Sequence, residues 1–173
     1  MTSAVSCRYD FLSRLLHWGV AAIIIYVTIM GYILHSLDGS RWFDFFSELN
    51  MSLATIATPV MVIRFVWRFF RPAVGWPSYI STRKKQLVTF IHEIFYLTIF
   101  IVLISGFLML EKGYHLFWLI PVPQPLSSPE VNQFFFKVHR ISCMALGVLL
   151  VIHIAAVANY LRQGKKEILN KMR

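Results

Sequence analysis

The chain is poor in charge. Of its 173 residues only 14% are charged, against 57% hydrophobic. A soluble domain carries about 25% charged and about 45–50% apolar residues, so this shortage argues against a water-soluble globule. Acidic residues are especially scarce: eight, against 17 Lys and Arg, leaving a formal charge of +9. The basic excess does not point to nucleic acid, because the cations sit in blocks at the ends of apolar segments, where anionic lipid headgroups would meet them. Cysteine is nearly missing. Cys7 precedes the first apolar segment and Cys143 lies inside the last, at different membrane depths, which argues against a disulfide. No C-x-x-C-H motif occurs, excluding covalent c-type haem attachment. There is no internal repeat, no low-complexity run and no clear cleavable leader. The first apolar run, about 15–34, is too long for a signal core and reads as a retained helix.

What is present is long apolar sequence. Four stretches, about 12–36, 49–70, 87–110 and 137–161, reach the roughly 20 residues needed to cross a bilayer core. Each must be helical, because lipid offers no partner to an unpaired backbone group. The expectation is an all-α integral membrane four-helix bundle forming a single domain over 1–173. The first connection (Asp38, Arg41, Asp44, Glu48) is net acidic. The second holds Arg71, Arg83, Lys84 and Lys85, with Arg68 just before it, and the tail holds Arg162, Lys165, Lys166, Lys171 and Arg173. Lys and Arg concentrate on the cytoplasmic side, so both termini and the second loop are expected inside. The third connection is about neutral and rich in proline (Pro121, Pro123, Pro125, Pro129). Trp42, Trp76 and Trp118 fall at span ends, as interfacial aromatics do. The run 72–77 reads as a turn, and Phe134–Phe136 as interface packing.

Six histidines occur, and ionisable residues inside spans are costly enough to be functional candidates. His139 and His153 lie fourteen residues apart, close to four helical turns, and so share a face at two depths. His17, followed by Trp18, lies near the cytoplasmic end of the first helix, at a depth His153 can match. His92 on the third helix enters at a similar level. Neutral imidazole is a common axial ligand of haem iron, and a haem takes two axial ligands. One of the three histidines at this level must therefore do something else. His92 is assigned that role, as partner of a propionate, a water or a quinone; an ordinary helix–helix hydrogen bond is the alternative. Arg64 and Arg68 could neutralise propionates, or could simply snorkel to the interface. Tyr96 and Tyr160 could line a quinone pocket or pack. Gly31, Gly106 and Gly147 invite close approach of a macrocycle or a helix. Met109 and Met144 are read as packing.

In order, these residues resemble the bacterial cytochrome b561 family: Tyr9-x4-Arg14-x2-His17-Trp18, the pair Arg64 and Arg68, His92-x3-Tyr96-Leu97 with Ser105-Gly106, His139 and His153, and the tail 166–172. The resemblance covers nearly the whole chain. It implies a four-helix membrane bundle with haem b, an inner haem held by His17 and His153, and an outer one held by His139 and a histidine opening the second helix. That last position is Asn50 here, and the second helix contains no histidine. Three outcomes stay open: the outer haem is lost, it is five-coordinate, or His35 or His115 substitutes. The resemblance further implies electron transfer with ubiquinone or menaquinone in the bacterial inner membrane. The donor would be a redox protein docking at the outer face, a small reductant, or superoxide, although an acidic first loop does not favour an anion. The alternative is a membrane anchor subunit of a larger redox complex, docking through 111–136.

Overall fold

The computed structural model describes residues 8–77 and 79–172; Cys7 lies outside them. Four long helices dominate: α1 (Phe11–Leu34), α2 (Arg41–Phe70), α3 (Thr82–Leu108) and α4 (Pro129–Arg162). Between α3 and α4 comes a short hairpin of β1 (Tyr114–Leu116) and β2 (Ile120–Val122), and a single turn, α5 (Glu167–Asn170), follows α4. All four long helices are apolar and long enough to span a membrane. The protein is thus an integral membrane four-helix bundle.

The helix ends follow local chemistry. Asp10 caps α1, its carboxylate accepting from the Ser13 N–H at 3.0 Å. Such a cap satisfies one of the orphan donors of the first turn. Pro129 opens α4, where a missing N–H costs nothing. Arg71 ends α2 because Pro72 forces it out of the helical region. At the far end of α3 the Asn132 side-chain amide donates to Leu108 O and Leu110 O, at 3.2 and 2.6 Å, and so ties α4 to the carbonyls that α3 leaves unpaired. The helices overrun the apolar spans at their polar ends. In particular, residues 41–48, read from sequence as part of a connection, are the first two turns of α2.

The bundle is two hairpins of helices set against each other. α1 packs along α2 and α3 along α4; α2 touches α3 more lightly, and direct α1–α4 contact is slight. A compact middle layer joins all four: Val20 and Ile24, Ala57 and Met61, Ile99, Val102 and Leu103, and Leu146. Large apolar residues such as Leu97, Ile104, Val148 and Val151 face outward, as a lipid solvent allows.

The chain termini and the 71–81 connection lie together at one end. Tyr9 N donates to Lys171 O at 3.1 Å, Lys171 Nζ to Gly75 O, and Trp18 Nε1 to Met172 O at 2.8 Å. The β-hairpin closes the other end. Its base needs Gly113, where a Cβ would come within 2.7 Å of Val122 O.

Candidate functional site

Residues about a turn apart share one face of a helix, and each helix carries its chemistry on its inward stripe. On α1 the stripe is Ser13, His17, Val20, Ile24 and Val27; on α2 it is Asn50, Ala54, Ala57, Met61 and Arg64. On α3 it runs through His92, Phe95, Ile99, Val102 and Gly106, and on α4 through Asn132, His139, Leu146 and His153. The apolar middle layer therefore has polar groups on both sides, one set toward the termini and one toward the hairpin.

At the termini end three helices deliver a histidine and the fourth an arginine. His17 lies within electrostatic reach of Arg64, His153 and His92 together. The His92 and His153 rings are 6.3 Å apart between centroids, and Phe95 meets His153 edge-on at 5.5 Å. His92 is exposed, although it sits beside His153. Arg64 Nη2 is 2.8 Å from His17 Nδ1. A guanidinium only donates, so Nδ1 accepts in this arrangement and the ring proton sits on Nε2. Arg64 and Arg68 both lie over Tyr96, at 5.6 and 5.1 Å, and Phe65 packs against the same ring. Tyr96 thus meets both arginines, and Tyr160 lies beneath Lys165. Arg68 forms a two-pronged ion pair with Glu93 of α3, which leaves Arg64 as the arginine facing the histidines.

Sequence reasoning missed Glu93 and the Asp10–Trp67 hydrogen bond (3.0 Å) that ties α1 to α2. A lone acid beside His92 in an apolar run was the available signal for the first. The D-x-x-S cap was the signal for the second.

The hairpin end is built differently. His139 Nδ1 is 3.0 Å from Val102 O and 3.4 Å from Ser105 Oγ, and its Nε2 is 3.4 Å from Cys143 Sγ. The ring lies so close to α3 that a Cβ on Gly106 would be 2.9 Å from its Cε1. Gly19 and Gly31 have nothing within 4 Å of such a Cβ and Gly147 only the Tyr32 hydroxyl at 3.9 Å, so of the four glycines in the long helices Gly106 alone meets a close neighbour. Asn50 lies on the stripe facing the core, and its Oδ1 is buried without a partner. His35 is exposed at the C-cap of α1. His115 is exposed on β1, its ring 3.6 Å from Glu48. Among the described residues, no three His, Cys, Asp or Glu side chains gather as a metal cluster would require. An open groove of about 440 Å³ between α1 and α4 is lined by Tyr32, Met144, Gly147, Val148, Val151 and Ile152. It holds no histidine and belongs to the lipid-facing surface.

A haem b needs axial nitrogens, cations for its propionates and flat space between helices. The termini-end layer supplies the first two of these: three imidazoles and Arg64. The hairpin-end layer supplies one imidazole, His139, packed on Gly106, with Asn50 on the α2 stripe. A four-helix membrane bundle with histidines converging from separate helices defines the class of membrane haem proteins. Within that class, the family model described as prokaryotic cytochrome b561 matches residues 8–173. Cytochrome b561 homolog 2 of Escherichia coli (strain K12) is 30% identical over 155 residues, covering 84% of this chain and 80% of that protein. The chain belongs to the prokaryotic cytochrome b561 family. It is a multi-pass bacterial membrane protein of electron transfer that binds haem b.

Proposed function

We propose that this protein carries one haem b, held by His17 and His153 at the termini end, and that it exchanges electrons between a donor and the quinone pool of the inner membrane. The observation that carries this reading is the meeting of three imidazoles and Arg64, each from a different helix, in one layer. When bound, the haem supplies the one-electron couple. The chain's own residues do the rest. His17 can ligate through Nε2 only when its proton moves to Nδ1. Arg64, a donor only, must then release His17 and turn to an acceptor, which suits a propionate carboxylate. His92, exposed beside His153, is free to bond a propionate, a water or a quinone oxygen. Arg68 stays with Glu93 and braces α2 against α3.

At the hairpin end we infer no haem, because Asn50 is a poor ligand and both His139 nitrogens face partners. The basic second loop and tail support a cytoplasmic location for the termini end. Asp44 and Glu48 then face the opposite side, where they favour a redox protein or a neutral reductant over superoxide.

The purified protein tests this reading. A pyridine haemochrome assay should give one haem per chain, and a ubiquinol or menaquinol analogue should reduce it. A colourless protein that co-purifies with a partner would instead support the anchor reading. A ratio of two would sink the single-haem assignment.

A further inference from the structure

The hairpin between α3 and α4 has a turn that ordinary turn chemistry does not explain. Phe117 and Trp118, at its tip, have φ of 49° and 60°. Among the described residues these are the only non-glycine positions in the left-handed region. Tight hairpin turns place Gly, Asn or Asp there, and a bulky residue holds that conformation only when its surroundings impose it. The surroundings are one face of α2. Phe117 N donates to Ser52 Oγ at 2.8 Å, His115 N to Glu48 Oε1 at 2.9 Å, and the Tyr114 hydroxyl bonds Thr55. Trp118 stacks on Phe45 at 4.8 Å.

Fixed this way, the tip turns its apolar side outward. Leu119 is 81% exposed, Ile120 58% and Trp118 44%. No charged residue occurs from Leu116 to Val122. The level of the hairpin says what covers it. A bilayer core of about 30 Å takes about 20 helical residues. Counted from the Arg68–Arg71 end of α2, the far boundary falls near residue 50. The hairpin lies against residues 45–55, at that boundary. Its bare face adjoins the exposed Trp42 and Phe45, which the same count places just outside the core, at the level of the headgroups. The exposed polar neighbours, Lys112 and His115, lie at the base of the hairpin and not at its tip.

We propose that Trp118–Ile120 is an interfacial anchor. The hairpin seats its tip in the headgroup–acyl boundary of the leaflet at its own end, and lipid is its partner. The proposal does not depend on where the haem binds.

The full chain, with Cys7→Ser and Cys143→Ala, would be reconstituted in phosphatidylcholine–phosphatidylglycerol vesicles. Nitroxide labels at Leu119→Cys and, separately, Ile120→Cys would be probed by collision with oxygen and with a nickel chelate. Labels at Ile104→Cys and Lys112→Cys serve as lipid and water references. The expected oxygen-to-nickel ratio at 119 and 120 is several-fold above that at 112 and approaches that at 104. A ratio matching 112 would place the tip in water and overturn the proposal. Exclusion of both reagents would overturn it too, because a protein neighbour would then cover the tip.

Discussion

The two ends of this bundle start from similar material and reach opposite results. At each end α4 offers a histidine on its inward stripe. At the termini end His153 finds His92 and His17, with Arg64 beside them. At the hairpin end His139 finds a carbonyl, a hydroxyl, a thiol and the bare backbone of Gly106. The lesson concerns availability. An imidazole can bind a metal only if a ring nitrogen is unclaimed and room remains in front of it. Where Gly106 lets α3 and α4 close up, the ring itself fills the gap. At the termini end three rings from three helices share one layer instead.

The largest expected effect tests this contrast directly. His153→Ala should abolish the dithionite-reduced alpha band, whereas His139→Ala should keep it with at most a small shift. Equal loss in both variants would mean that the two layers do not differ as described. Next in size is a gain. Asn50→His restores an imidazole on the α2 stripe opposite His139, and haem per chain should rise from one toward two by pyridine haemochrome. If it stays at one, close packing at Gly106 is the barrier rather than the missing ligand.

Gly106→Ala addresses that packing. A rigid ring 2.9 Å away must shift, and overpacking of this kind costs about 1–3 kcal/mol. Denaturant unfolding in detergent micelles should show that loss while the haem spectrum is retained. Unchanged stability would show that His139 sits loosely.

The smallest effect concerns the fastening of the termini end. Burial alone would raise the Asp10 carboxyl, but hydrogen bonds from the Ser13 hydroxyl and amide and from the Trp67 indole outweigh it and hold it below the usual range. A depressed acid gives stability that is complete above its unfolded value, about 3.9, and that fades as pH falls through the folded value. Asp10→Ala should therefore cost about 1 kcal/mol at neutral pH, and the gap between variant and parent should narrow below pH 4. A gap independent of pH would indicate that the carboxylate charge contributes nothing.

Much of this was legible before any fold was seen. Runs of apolar residues about 20 long dictate helices in lipid, so the four-helix class follows from composition and length. The heptad spacing of His139, Leu146 and His153 places them on one face through helix geometry alone. The absence of histidine from α2 was readable by counting. Other features were not legible. The Pro-rich connection gave no hint of a hairpin, since Phe117-Trp118 carries none of the usual turn residues and is held by Ser52 and Phe45, more than sixty residues earlier in the chain. The two arginines of α2 look interchangeable in sequence; Glu93 separates them by engaging Arg68 and leaving Arg64 to His17.

The sequence by itself determined the solvent, the number of helices and the shared face of His139 and His153, because those depend on apolar run length, helix geometry and the need to pair backbone groups in lipid. The tertiary structure decided which histidines remain available. That depends on how closely particular helices approach: α3 meets α4 across a glycine, while α1 and α4 leave a seam. No local pattern encodes the distance between two helix axes, which is set by every side chain packed between them.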